Sequence, residues 1–260
     1  MSERFPWYDS WFLTSYVRAR DHLRAHAPSR VADFEAALDV FRVPSTFETI
    51  RVADLLTPTE LSWLQQLVQR YRDDQLEQHE WESMGRYVIH RHLAITSIQH
   101  RLVDRVSELV GERVEPSYNF LCFYRGDGIC PPHMDSVDAK WTVDVCLSQS
   151  ATWPIEISQV VRWPEDETFD DEWAEAKRAD TSIARTSYEM DPGEALVFAG
   201  SSQWHFRDRQ PGPEPKHCEL LFFHFIPAGT EPLLHPDRWF ETLGIPELAD
   251  AGLEPSPAAA

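Results

Sequence analysis

Apolar residues recur along this chain with two different periods, and the change falls near Ser117. Before it, Trp7, Trp11, Tyr16 and Val17 form one stripe, and Val31, Phe34, Leu38 and Phe41 form another. Pro28 lies between the stripes and Pro44 follows the second. Such spacings put side chains on one face of a helix, and proline interrupts one, so the first forty-odd residues are predicted as two helical pieces. A strand-like stretch, Phe47–Val52, leads to Thr57-Pro58-Thr59-Glu60. That quartet is a helix start: threonine caps, proline takes the first turn, and glutamate returns a bond to the cap. Leu61, Leu64, Val68 and Tyr71 then share a face. Another helix is predicted from Ser97 to Val110, with Leu102, Val106 and Leu109 inward and Gly111 as its stop.

From Ser117 the period is two. Phe120–Tyr124, bounded by Gly126 and Gly128, reads as a strand buried on both faces. Trp141, Val143, Val145 and Leu147 alternate with Thr142, Asp144 and Cys146. Pro154–Ile157, Ala195–Ala199 and Cys218–Phe225 supply further strands. Helices first and many short strands afterwards predict an α+β fold, a β-sandwich or jelly roll with the N-terminal helices packed on one face. Three regions follow: a helical extension over 1–45, the β domain over 46–227 with an insertion at 160–190, and a C-terminal extension over 228–260. The insertion holds nine acids against four bases, together with Trp163, Phe169 and Trp173, and is predicted to contain one short helix. The Ala/Pro-rich end from Pro246 to Ala260 reads as disordered.

Composition narrows the function. With 24 basic and 43 acidic residues the net charge is -19. Nucleic-acid binding needs a cationic surface, so DNA and RNA are excluded as main partners, and an anionic membrane repels such a protein. No apolar run exceeds five residues, which argues against a membrane span, and Met1–Tyr16 lacks the basic start and apolar run of a signal peptide. Cys122, Cys130, Cys146 and Cys218 contain no CxxC pair and read as reduced thiols of a cytoplasmic protein, acting as small hydrophobes in strands. Ten tryptophans and fourteen phenylalanines suit an aromatic-walled pocket as well as a core.

Candidate chemistry concentrates in Tyr124-Arg-Gly-Asp-Gly-Ile-Cys-Pro-Pro-His133-Met-Asp135. In extended chain His133 and Asp135 point to the same side and can offer a nitrogen and an oxygen to one ion. Alone, the pair reads equally as a turn histidine beside a capping aspartate. A later histidine raises it: Trp204-His205-Phe206-Arg207 follows a strand introduced by Asp191-Pro-Gly-Glu-Ala-Leu-Val-Phe198. Two imidazoles and one carboxylate on one side of an ion make the facial triad that suits Fe(II) and leaves positions open. His217 and His224 remain alternatives for the second imidazole. His224, out of phase with Phe223 and Phe225, reads as a satisfied strand histidine.

With these motifs the chain resembles the Fe(II)- and 2-oxoglutarate-dependent dioxygenases, in particular the prolyl-4-hydroxylase-like branch, over residues 48–227. The resemblance rests on the Leu56–Glu60 helix opening, Tyr124 before His133, the proline-glycine turn before the strand leading to His205, and the terminal strand Glu219–Phe225. It implies a distorted jelly roll, the double-stranded β-helix, with Fe(II) held by His133, Asp135 and His205. It further implies that 2-oxoglutarate chelates the metal, that O₂ takes the last position, and that an unactivated C–H of a small-molecule substrate is hydroxylated. Because Asp135 is present, no coordination site is vacated for chloride. Hydroxylation is therefore expected over halogenation, with desaturation and cyclisation open. For the far carboxylate of 2-oxoglutarate the family pattern points to Lys216. Pro211, Pro213 and Pro215 lengthen that turn, so Arg207 and His217 stay open, and Tyr124 offers a phenol hydrogen bond. Arg86, His90, Arg91 and His92 either form a solvated strand or line the pocket, where Arg86 and Arg91 would hold a substrate carboxylate. The expected substrate is an amino acid or natural-product intermediate. A peptidyl or protein proline is the second reading, and a metal-containing jelly-roll binding protein without catalysis is the third. No feature specifies an oligomeric state.

Overall fold

The computed structural model describes residues 5–7 and 10–255 and opens with α1 (Trp11–His26) and α2 (Val31–Leu38). Strand β1 (Ile50–Val52) leads to α3 (Pro58–Val68), the one-turn α4 (Trp81–Met84), β2 (Arg86–His90) and α5 (Leu93–Val110). Strands then dominate: β3 (Val114–Arg125), β4 (Cys130–His133), β5 (Trp141–Gln149) and β6 (Ile155–Ser158). After α6 (Trp173–Ala179) come β7 (Arg185–Tyr188), β8 (Ala195–Phe198), β9 (His205–Arg207) and β10 (His217–Pro227), with α7 (Trp239–Thr242) beyond them. The strands make two antiparallel sheets, one ordered β1-β8-β5-β10-β3-β2 and the other β4-β9-β6-β7. This is the distorted double-stranded β-helix that the resemblance implies, and a jelly roll as the pattern predicts.

Alternation along the large sheet sends one set of residues out and the other in. Leu121, Phe123, Val143, Val145, Leu221 and Phe223 belong to a core shared with Leu64 and Val68 of α3 and Leu102 and Val106 of α5. Cys122, Tyr124, Cys146, Cys218 and Leu220 turn the other way, into a second core with Ile155 and Ile157 of the small sheet. The predicted start of α3 is realised in full: the Glu60 amide donates to Thr57 Oγ1 at 3.2 Å and the Thr57 amide to Glu60 Oε2 at 2.8 Å. Helix α5 begins at Leu93 rather than Ser97, because its first turn is solvated and carries no apolar stripe before Ile95.

The N-terminal helices build a third, aromatic core beside the turn that follows β4. Phe12, Tyr16, Phe34 and Phe41 pack there with Met134, Val137, Trp163, Trp204 and Trp239. The expectation of a disordered end fails from Pro246 to Asp250, a 3-10 turn whose Leu248 is buried in the same core, while 256–260 lie outside the described residues. An apolar anchor at Leu248 and Ala251 outweighs the Ala/Pro bias. No helix among the described residues is long and apolar enough to cross a membrane.

Candidate metal centre

Strand β4 reads Cys-Pro-Pro-His, and its two prolines are tolerated because β4 is an edge strand of the small sheet. Its pairing with β9 shifts register between Cys130 and His133, so that His133 lies directly opposite His205. The imidazole centroids are 4.1 Å apart. Each ring is oriented by a backbone carbonyl: Nδ1 of His133 lies 2.8 Å from Pro131 O, and Nδ1 of His205 lies 2.9 Å from Gln203 O. A carbonyl only accepts, so both Nδ1 atoms carry a proton, and Nε2 is the atom that each ring, once neutral, would offer to a metal. These two Nε2 atoms each lie 3.6 Å from Asp135 Oδ1.

Asp135 is fixed from its other side. Thr142 Oγ1 donates to its Oδ2 at 2.8 Å, and its amide donates to Gly200 O at 2.9 Å. Gly200 is required here, because a Cβ at that position would collide with Asp135 Oδ2 and Thr142 Oγ1. Burial pushes the Asp135 carboxyl up, but His205 and then His133 outweigh it and hold the group below the usual carboxylate range. One ligand atom from each of His133, Asp135 and His205 falls within 4.8 Å of the other two. Two imidazole nitrogens and one carboxylate oxygen at this spacing fit a facial triad for a divalent metal such as Fe(II).

The other candidate residues separate into two groups. Inside the barrel, Arg207 shares a strand face with His205, donates to Asp144 Oδ2 at 2.7 Å and also donates to Trp153 O. Asp144 is fully buried and its Oδ1 has no hydrogen-bond partner among the described residues; burial pushes its carboxyl up despite Arg207. Tyr124 is buried with its hydroxyl accepting from Arg86 Nη1 at 3.0 Å, and Arg86 Nε reaches Glu80 Oε2 at 2.5 Å. Arg86 therefore belongs to the barrel wall rather than to a solvated strand. Lys216, just before β10, instead donates from Nζ to Asp127 Oδ1 at 2.6 Å, and Asp127 also takes a bond from Arg209 at 3.3 Å. Arg91 is exposed just past β2, with φ at +52°, and the structure does not bring it to Arg86. His217 sits at the start of β10, half-exposed beside Ser148.

Two residues of this neighbourhood, Thr142 and Asp144, were not singled out by spacing, and His224 was read there as a satisfied strand histidine. Thr142 and Asp144 look like the solvated side of an alternating strand, and only closure of the barrel turns that side inward. His224 is buried and only half satisfied: Nδ1 lies 3.2 Å from Thr142 Oγ1, while Nε2 has no hydrogen-bond partner among the described residues. Burial pushes this imidazole down to about 4. The expectation of a satisfied strand histidine therefore fails at one nitrogen.

No protein-family model matches the chain, and comparison with curated proteins finds no match. Among solved structures, AviO1 from Streptomyces viridochromogenes Tue57 is similar over 75% of this chain and 95% of its own, at 16% identity and a TM-score of 0.51. Weaker likenesses include the non-heme alpha-ketoglutarate-dependent epimerase SnoN from nogalamycin biosynthesis (12% identity, 82% of this chain, 87% of that one, TM-score 0.49). HygX from Streptomyces hygroscopicus, solved with nickel and 2-oxoglutarate, gives 11% identity, 71% and 84% coverage and a TM-score of 0.47. At these identities what is shared is the fold, and AviO1 is the one of the three above 0.5.

Proposed function

We propose that this protein is a non-heme iron oxygenase that uses 2-oxoglutarate and O₂ to hydroxylate an unactivated C–H bond of a small metabolite. The carrying observation is the convergence of two oriented Nε2 atoms on one carboxylate oxygen inside a jelly roll. Within that superfamily the sequence motifs favour the prolyl-4-hydroxylase-like branch. Bound iron with its 2-oxo acid supplies the activation of O₂ and the oxidising power. The chain supplies the rest. Pro131 and Gln203 carbonyls hold the histidine tautomers, Thr142 and Gly200 hold the aspartate, and the aromatic core beside Met134 and Val137 shields the ligand turn from water.

For the far carboxylate of the co-substrate, placement favours Arg207 with Tyr124 over Lys216. Arg207 and Tyr124 are buried in the barrel that carries the triad, whereas Lys216 is engaged by Asp127. A carboxylate in the barrel would share Arg207 with Asp144 as a charge-assisted partner. The test is succinate formation coupled to 2-oxoglutarate consumption under Fe(II) and O₂, with His205→Ala as the inactive control. Uncoupled or absent succinate formation in the wild type would refute the reading. Arg207→Gln should raise the KM for 2-oxoglutarate by about tenfold or more, corresponding to 1.4 kcal/mol, and Lys216→Ala should leave it unchanged.

A further inference from the structure

His224 occupies an irregularity in the large sheet. The register of β10 against β3 shifts between Phe223 and Phe225, with the extra residue on β3, while His224 keeps its place opposite Thr142 of β5. The bulge is built in. Gln99 of α5, itself buried, donates to the carbonyls of both Tyr118 and His224, at 2.9 and 2.8 Å, and Asn119 Nδ2 fixes Gln99 Oε1 at 2.8 Å.

The proton on this imidazole can be placed by elimination. Asp135 is a carboxylate and only accepts, so the single hydroxyl hydrogen of Thr142 goes to Asp135 Oδ2. The contact between Thr142 Oγ1 and His224 Nδ1 at 3.2 Å then requires Nδ1 to donate. Nε2 is left as a bare acceptor, in a residue only 2% exposed and without a donor among the described residues. A buried acceptor left unmatched is unfavourable, because it has given up its bond to water and gained none in return. Around it lie flat apolar faces: Tyr118 stacks on the imidazole at 4.1 Å, and Phe120 and Phe222 lie nearly parallel to it at 5.7 and 6.3 Å. All three aromatic rings are only partly buried.

Resting on the oxygenase reading above, we propose that His224 is a substrate-positioning residue, whose Nε2 accepts a hydrogen bond from a hydroxyl or ammonium group of the substrate. The apolar part of that substrate lies on Tyr118, Phe120 and Phe222. The substrate class is therefore a donor-bearing ring compound rather than a carboxylate recognised at this point. Through Thr142 the same imidazole touches the ligand Asp135, so the anchoring point stands one hydroxyl away from the metal site.

The test begins with metal-free protein carrying ¹⁵N-labelled histidine. At neutral pH the His224 resonances should show a protonated Nδ1 and an unprotonated Nε2. Cyclohexanol and cyclohexylamine are then titrated against methoxycyclohexane and trimethylcyclohexylammonium, which keep the ring and lack the donor. The donor-bearing probes should shift Nε2 and bind about tenfold tighter than the blocked ones, the scale of one net hydrogen bond. His224→Phe should erase that preference while leaving Zn(II) affinity within about twofold. A protonated Nε2, equal binding of blocked and unblocked probes, or a preference that survives His224→Phe would overturn the proposal. Failure of Zn(II) to bind the wild type would sink the metal reading alone, since the probe titration needs no metal.

Discussion

Alternate residues of the same strands build the two faces of the large sheet, and the two faces are made of different chemistry. The outer face, Val143, Val145, Leu221 and Phe223, is apolar against α3 and α5. The inner face carries Thr142, Asp144, Tyr124, Arg86 and His224, all buried. Taking an ion out of water costs several kcal/mol, and the mutual attraction of a pair such as Arg207 and Asp144 repays that only with good geometry and further bonds. Apolar residues on both faces would hold the strands together with less strain on the balance. Polar side chains gather instead on the face that looks toward His133 and His205. The contrast separates residues that serve cohesion from residues that serve a ligand, and substitutions on each face should therefore fail in different assays.

The largest effect belongs to the triad. His133→Ala, Asp135→Ala and His205→Ala should each lower Zn(II) or Co(II) affinity by more than about a hundredfold by calorimetric titration, since losing a residue that merely orients a ligand already costs about 10–100-fold. The unfolding transition of the metal-free variants should stay close to that of the wild type. A variant that keeps wild-type affinity would remove its residue from the ligand set. Next comes the deep ion pair. Arg207→Ala should destabilise the fold by about 3–5 kcal/mol in urea unfolding, because it strands a buried carboxylate. The double variant Asp144→Leu/Arg207→Leu should recover most of that loss, yet bind 2-oxoglutarate poorly. Recovery of stability together with normal co-substrate affinity would place the anchor elsewhere. On the outer face, Leu221→Ala should cost about 2–5 kcal/mol of stability and leave metal affinity unchanged.

The outer face was legible in the sequence because packing writes itself as periodicity. Val143 and Val145 alternate, Phe120–Tyr124 is continuous, and Thr57 to Glu60 spells a helix start that the folded protein realises. The triad was legible because two of its members are two residues apart in a strand and the third follows a recognisable turn. The inner face was not legible, since its partners are far apart in sequence. Arg207 finds Asp144 across 63 residues, and Arg86 finds Tyr124 across 38. The family pattern points to Lys216 for the co-substrate, but the loop after β3 supplies Asp127, whose carboxylate takes its ammonium. His224 was misjudged for a similar reason. Alternation gives the side of a strand, but the bulge and the tautomer depend on Gln99, Thr142 and Asp135, none of them near it in the chain.

The smallest effect tests the cohesive side alone. Glu60 closes the capping box of α3 and also receives Arg101, at 2.8 and 2.7 Å from its two oxygens. Burial pushes this carboxyl up, but the bonds from Thr57 and then Arg101 outweigh it and hold the group below its ordinary value. A carboxyl whose pKa is lower in the folded state binds fewer protons there than in the unfolded chain. Its contribution to stability is therefore complete above the unfolded value and is lost as pH falls through the folded one. Glu60→Gln should cost about 1 kcal/mol at neutral pH, the usual scale of a helix cap. The gap between variant and wild type should close in acid, once both side chains are neutral. Urea unfolding at the two pH values reads the difference directly, and a gap that persists unchanged in acid would show that the charge of Glu60 contributes nothing. Zn(II) affinity should be identical in the two proteins at neutral pH, because α3 packs into the core on the face of the sheet turned away from the triad.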